Sequence, residues 1–376
     1  MPLLRDLAIG QYFADIDDPR VDRTKDHALL DIIIIAICGV VCGADSWVEI
    51  EEFGNAKHAW LTTILELPNG IPSHDTFGRV FARIDPEQFQ HSFLAWVQAL
   101  QQVRADVIAI DGKTHRRSHD RPNAKAALHL ISAWAADNRL VLGQVAVDDK
   151  SNEITAIPQL LDLLDLRDCT VTIDALGCQT AIAEQIVQRG GQYVLALKGN
   201  QPTMLAEVQA LFADARSALQ PGYGMTRATT VEKDHGRIEL RTAFVISDPD
   251  VLQYLNERQH WTQLRSVALI EAERTVQDTT TIEQRYYLLS QVQDAASVNQ
   301  VVRGHWGIEN RVHWVLDVTF HEDASRIRNG DAPQNMGVLR HIALNLLRQE
   351  PSKGSLKTKR FRAALNDDYL ARVLGL

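Results

Sequence analysis

Residues 107–114 read VIAIDGKT and residues 170–178 read TVTIDALGC, and these two stretches decide the fold. Each is a short apolar run ending in one aspartate, Asp111 and Asp174. A buried carboxylate without a partner is costly, so a strand that delivers one to its tip calls for a compensating cation. Further on, residues 301–317 read VVRGHWGIENRVHWVLD, a helical segment carrying Glu309. Two aspartates on strand ends and one glutamate on a helix point to a divalent metal as the missing positive charge.

Outward from these stretches the pattern is that of an α/β protein. DVIAIDG, ALHLISAWAAD and RLVLGQVAVD predict three strands, with Asn138 and Gly143 in or near the turn that joins the last two. EITAIPQLLDLLD predicts a helix capped by Ser151 or Asn152. Then come the strand CTVTIDA, the helix QTAIAEQIVQRGG ending in Gly190 and Gly191, and the strand QYVLALKGN. This order implies a mixed sheet, an antiparallel meander followed by parallel crossovers, flanked by helices. Residues 1–100 read as all-helical, with Ser73 as an N-cap before Thr76 and Phe77. Within a catalytic region of 101–350, residues 201–295 read as a short helical piece and then a β-rich insertion. From Asp294 the chain is helical through Glu309 and again along NMGVLRHIALNLLRQE, and 351–376 form a basic tail.

At 376 residues the chain suits two domains or one domain with an insertion. Its 45% hydrophobic and 23% charged residues are those of a soluble globular protein. The apolar run from Ile32 to Ala44 is too short to span a bilayer, so no membrane partner is expected. No secretory leader pattern opens the chain, and Cys38, Cys42, Cys169 and Cys178 lack metal-ligand spacing. Both features suggest a cytoplasmic protein with buried thiols, Cys178 included. A net charge of −9 argues mildly against a nucleic-acid partner. The basic residues are bunched, however, at 113–121, 326–328 and 352–362, and such a mosaic is compatible with DNA.

The strand order lets the first and fourth strands be neighbours, which brings Asp111 and Asp174 to one edge. Their hard oxygen donors suit Mg²⁺, and a site of this kind can hold two metals roughly 4 Å apart for in-line phosphoryl transfer. The plainer alternative is that Asp111-Gly112 is a turn and Asp174 caps the next helix. Around Glu309, His305 and His313 recur at helical spacing on one face. That leaves a zinc or di-iron site as a second alternative, although neither the His-Glu-x-x-His nor the Glu-x-x-His pattern is present. No phosphate-cradling glycine loop precedes GKT at 112–114. Lys113, Arg116 and Arg117 beside the first aspartate, and Lys198 after the next strand, could grip a DNA backbone.

In order along the chain come DHALLDIIIIAICGVVCGADSW, PSHDTFGRVFARID, IAIDGKT, KSNEITAIPQLLDLLDL, VTIDALGCQ, YVLALKGNQ and RGHWGIENRVHWVLDVTFHEDASRIR. Over nearly its whole length the chain thereby resembles the DDE insertion-sequence transposases of the H-repeat-associated type. The resemblance implies an RNase H-like core, a helical N-terminal associated domain and a β-rich insertion before the glutamate helix. It also implies a triad of Asp111, Asp174 and Glu309 holding Mg²⁺, or Mn²⁺ in its place. The implied activity is strand cleavage at element ends and transfer into double-stranded target DNA, by a homodimer in a synaptic complex at the nucleoid. The wider superfamily's Tyr-x₂-Arg-x₃-Glu-x₆-Lys signature falls on Val302, His305, Glu309 and Leu316. His305 thus stands where a phosphate-binding arginine is expected, with Arg303 or Arg311 nearby. His115 and Arg117 stand where members more often carry Leu and Gly. The candidate DNA contacts are therefore Lys113, Arg116, Lys198, Arg303, His305, Arg326 and Arg328. The rivals are a metal-dependent nuclease without strand transfer and a host-retained DNA-binding protein.

Overall fold

The computed structural model describes residues 9–100, 107–114, 128–147, 153–217, 223–234, 237–276 and 279–376. The N-terminal part is helical: α1 (Gly10–Phe13), α2 (Leu29–Cys42), α3 (Trp47–Ala56), α4 (His58–Leu61), α5 (His74–Phe81) and α6 (Pro86–Leu100). Ser73 caps α5, its hydroxyl accepting from the Thr76 amide, as expected of a serine at a helix start. Helix α2 is apolar on every side, and its residues from Asp31 to Val41 are buried. No described helix is both long and apolar enough to cross a membrane. Only α2 and α3 together pass such a test, and they are bent by 94°.

The central elements are β1 (Val107–Thr114), β2 (His129–Ala135), β3 (Leu140–Val147), α7 (Glu153–Asp162), β4 (Thr170–Ile173), α8 (Thr180–Gln188) and β5 (Gln192–Leu197). The proposed caps of α7, Ser151 and Asn152, lie outside the described residues. β1 is antiparallel to β2 and parallel to β4, and β4 is parallel to β5. This is the mixed sheet that the sequence implied. Gly143 differs from expectation. It lies inside β3, where an added Cβ would meet Leu94 at 3.0 Å, and the turn before it ends at Arg139 in the left-handed region (φ 55°).

The next stretch comprises α9 (Pro202–Ser217), β6 (Thr226–Asp234), β7 (Arg237–Ile246), α10 (Pro249–Asn256), β8 (Ser266–Val276) and β9 (Thr279–Leu289). These strands prolong the core sheet. The order is β3-β2-β1-β4-β5-β9-β8-β7-β6, with β9 antiparallel to β5 from Val194↔Leu289 to Leu197↔Tyr286. Without β9, strand β5 would expose a row of unpaired amides and carbonyls. The opening helix, α9, is sixteen residues long rather than a short piece.

The chain then forms α11 (Ala295–His305), a π-helical turn (Ile308–His313), α12 (Trp314–Thr319), α13 (Ala332–Gln349), α14 (Leu356–Leu365) and α15 (Asp367–Val373). Helix α13 is buried along nearly its whole length and joins the helical region to the sheet. Its Asn345 amide pairs with both the N–H and the C=O of Val141 at 2.9 Å, satisfying the edge strand β3.

The expected basic tail is a structural clasp. Lys359 donates to the Leu347 carbonyl at 3.0 Å and to the Glu350 carbonyl, where α13 ends. Arg360 donates to Val40 at the end of α2 (3.0 Å) and to Thr319 at the end of α12. It also pairs with Asp45 at 3.2 Å and lies 4.3 Å over the Phe320 ring. Cations placed on orphan C-terminal carbonyls satisfy both their hydrogen bonds and the helix dipoles.

Arg360→Ala should therefore destabilise the fold by about 2–3 kcal/mol, because buried acceptors lose a charged donor, and thermal unfolding checks this. Asp31, in the first turn of α2, is pushed up to about 6 by burial and by Glu66. The folded protein holds that proton more tightly than the unfolded chain, whose carboxyl titrates near about 4, so stability falls as pH rises from about 4 to about 6. Asp31→Asn should raise the Tm by a few degrees at pH 8, with the gain fading below about pH 4.

Candidate active site

Strand register builds the site. In the β1–β4 pair, Ala109 lies beside Thr172 and Ile110 beside Ile173. Two residues beyond Ala109 and Thr172, on the same face of each strand, stand Asp111 and Asp174. β4 ends at Ile173, so the sheet opens where the two carboxylates meet. β1 does not end there: it continues to Thr114, paired with β2 alone. Asp111-Gly112 is thus no turn. Asp174 accepts from the Leu176 amide at 3.0 Å in a tight local turn, and the N-cap position of α8 falls to Gln179, whose side chain makes no capping bond.

The third carboxylate arrives on the helix above this face. His305, the last residue of α11, hydrogen bonds through Nδ1 to the Thr172 hydroxyl at 3.0 Å. One turn on, Glu309 stands in the π-helical turn and lines a cavity of about 350 Å³ with Asp111 and Asp174. His313 comes next on this face, its Nδ1 3.4 Å from Asp111. A π-turn inserts a residue and re-aims the side chains after it, and such turns recur at functional sites.

The electrostatics are those of three carboxylates with too little compensation. Burial, then Asp174 and Glu309, push Asp111 up to about 7. Burial and then Glu153 raise Asp174, against the amides of Gly177 and Leu176 and the charge of Lys198. Burial also raises Glu309, opposed by Arg285. Among the described residues no three acidic, histidine or cysteine side chains close to metal-ligand distance. At the alternative His305–Glu309–His313 set, His305 is bonded to Thr172 and His313 faces Asp111. The donor set of three hard carboxylate oxygens around one cavity fits a divalent cation such as Mg²⁺.

Two neighbours escaped the sequence reading. Glu153 opens α7 and resembles an ordinary first-turn acid, yet it is buried and bonded to His129 at 2.7 Å. This pair sits against Gly112, where an added Cβ would come within 2.6 Å of His129 Nε2 and 2.7 Å of Glu153 Oε1. Gly112 is thus required by close approach. Arg285, on β9, lines the cavity and lies 4.4 Å over Trp306. Nothing local to its strand marks it, because only the extended sheet brings β9 beside the triad.

The expected DNA contacts divide. Lys198 is exposed after β5 and lines the cavity. Lys113 is not presented to a ligand. Its ammonium donates to Glu322 at 2.7 Å and to Asp317, and although burial opposes its charge, these acids hold its pKa above the usual value. Burial, and then Arg285, push His305 down to about 4 against the opposing Thr172 bond, which disfavours a cationic role for it. Arg303 is paired with Glu232 on β6. Arg326 is exposed and Arg328 half-buried, and neither lines the cavity of the triad. Arg116, with His115 and Arg117, lies outside the described residues.

The chain is similar to known proteins. Residues 103–346 match the family described as Transposase DDE domain, and residues 10–97 match the one described as DDE_Tnp_1-associated. The chain is 40% identical to “Putative transposase YncI” of Escherichia coli O157:H7, over 97% of this chain and 93% of that protein. It is 37% identical to “H repeat-associated putative transposase YhhI” of Escherichia coli strain K12, over 97% of each. A solved piggyBac transposase synaptic complex with hairpin DNA overlaps more loosely, with a TM-score of 0.43 and 10% identity over 99% of this chain and 77% of that one.

Gly112→Ala should displace the His129–Glu153 pair and cost about 1–3 kcal/mol. Thermal unfolding would reveal it, and an unchanged Tm would contradict the close approach.

Proposed function

The chain belongs to the DDE transposase family, a divalent-metal-dependent family, and from that premise we propose that its triad is Asp111, Asp174 and Glu309, acting with Mg²⁺. The reaction is cleavage of one strand at the ends of a mobile element, followed by attack of the freed 3′-hydroxyl on double-stranded target DNA. The observation that carries this reading is the meeting of three carboxylates at one cavity, where burial and their mutual repulsion raise Asp111 to about 7.

When bound, the metal activates the attacking oxygen and stabilises the leaving one. The chain supplies the placement. Asp111 and Asp174 are anchored on adjacent parallel strands, so their spacing is set by backbone pairing. The His305–Thr172 bond fixes the rotation of α11 and so aims Glu309. Lys198 borders the cavity and offers positive charge to the scissile phosphate, the task assigned to an arginine at position 305 in the wider superfamily, while Arg285 beside it is held by Glu283 at 2.7 and 2.8 Å. His305, neutral and held by Thr172, is a positioning residue. Joining two element ends calls for two active sites, which supports a homodimer in the synaptic complex.

Purified protein, Mg²⁺ and DNA carrying candidate terminal repeats should yield cleaved and joined products. Asp111→Asn, Asp174→Asn and Glu309→Gln should each cost more than about 100-fold in cleavage, the upper cost of losing a mere supporting partner. Retained Mg²⁺-dependent cleavage in all three would refute the assignment. Cleavage without joined products would make the protein a nuclease on the same core.

A further inference from the structure

We propose that Arg139, Arg311 and Arg348 form a phosphate site for a DNA backbone on the side of the catalytic helix away from the triad, a site distinct from the metal cavity. The three come from separate elements. Arg139 closes the β2–β3 turn, Arg311 lies in the π-helical turn two residues after Glu309, and Arg348 is in the last turn of α13.

Arg348 lies 4.5 Å over the Trp134 ring and donates one Nη to the Arg311 carbonyl. Its other Nη is buried without an acceptor, and so is Trp134 Nε1. Burial, then Arg311 and Arg139, push Arg348 down to about 9. Among the described residues none of the three arginines pairs with a carboxylate. The cluster therefore consists of like charges and orphaned N–H donors with no acceptor, which is costly unless an anion completes it. Planar guanidinium groups match phosphate oxygens two at a time.

The location selects a polymer. Arg311 and Trp134, against which Arg348 packs, line a cavity of about 370 Å³ together with Arg303, and Asp137 is the one acidic residue that lines it among the described residues. Through Arg303, Gly304, Gly307 and Arg311 it continues into a cleft of about 650 Å³. That cleft also contains Arg241 and Arg274, with Glu232, Glu239 and Glu283 between its five arginines, and it shares Glu283, Arg285 and Trp306 with the triad's cavity. A polyanion seated at the triad can thus run along this groove and place a second phosphate on the arginine cluster. This inference rests on the DNA-transposase reading, but its test needs no catalysis.

Binding of a random-sequence duplex, measured against salt concentration in EDTA, separates the two. Arg139 and Arg311 are exposed, so Arg139→Gln/Arg311→Gln should fold normally, as its Tm will show. The double variant should lower the slope of log affinity against log salt by about 2 and weaken binding by roughly 10-fold. Each single variant should give about half of that slope change. Inorganic phosphate should raise the Tm of the parent protein and leave that of Arg348→Met unmoved. A folded double variant with unchanged slope and affinity would overturn the site. Stabilisation by phosphate with an unchanged DNA slope would overturn DNA as its ligand. Loss of the catalytic reading, seen as absence of Mg²⁺-dependent cleavage, would leave this binding result intact.

Discussion

The register of β1 against β4 is the constraint on which the rest depends. Parallel pairing sets Ala109 beside Thr172, and it stops at Ile110 and Ile173. Because side chains alternate along each strand, Asp111 and Asp174 then share a face and an opening in the sheet. A slip of one residue in either strand would send one carboxylate to the opposite face, towards α7. The same register presents Thr172 to His305, and that bond sets where Glu309 falls. Two backbone strands and one side-chain bond thus assemble the triad.

Around this centre the charges are sorted by position. Carboxylates gather on the sheet side of the π-helical turn, where Glu153 adds a fourth negative charge behind Asp111. Arginines gather on its other side and along the groove formed with β7, β8 and β9. The helix carrying Glu309 thus has three carboxylates on its sheet side and, on the other, a groove in which Glu232, Glu239 and Glu283 alternate with arginines. Five arginines against three glutamates leave this groove with a local positive excess in a chain of net charge −9. Lys113 shows the sorting at residue level: adjacent to the site in sequence, it is spent on Asp317 and Glu322, tying β1 to the segment after the π-turn.

The C-terminal helices and α13 supply the rigidity that such a site needs. Lys359 and Arg360 fasten three helix ends, and Arg360 connects the helical region to the segment beyond Glu309. Seen only in sequence, these residues belong to a basic cluster. A cluster of lysines and arginines has the same composition whether it faces solvent or fills a set of buried carbonyls, so composition could not distinguish the two.

What could be read from the chain by itself was whatever is encoded locally. Apolar runs ending in Asp111 and Asp174, the Ser73 cap and the order of strands and helices all depend on near neighbours in sequence. The tertiary structure decided the rest. It joined β9 to β5, brought Arg285 beside the triad, buried Glu153 against Gly112, and tied His305 to Thr172. Each of these outcomes is set by burial or by contact between residues far apart in the chain, and neither spacing nor periodicity carries that information. Local patterns name the carboxylates, while only the packed sheet and helix determine which charges surround them.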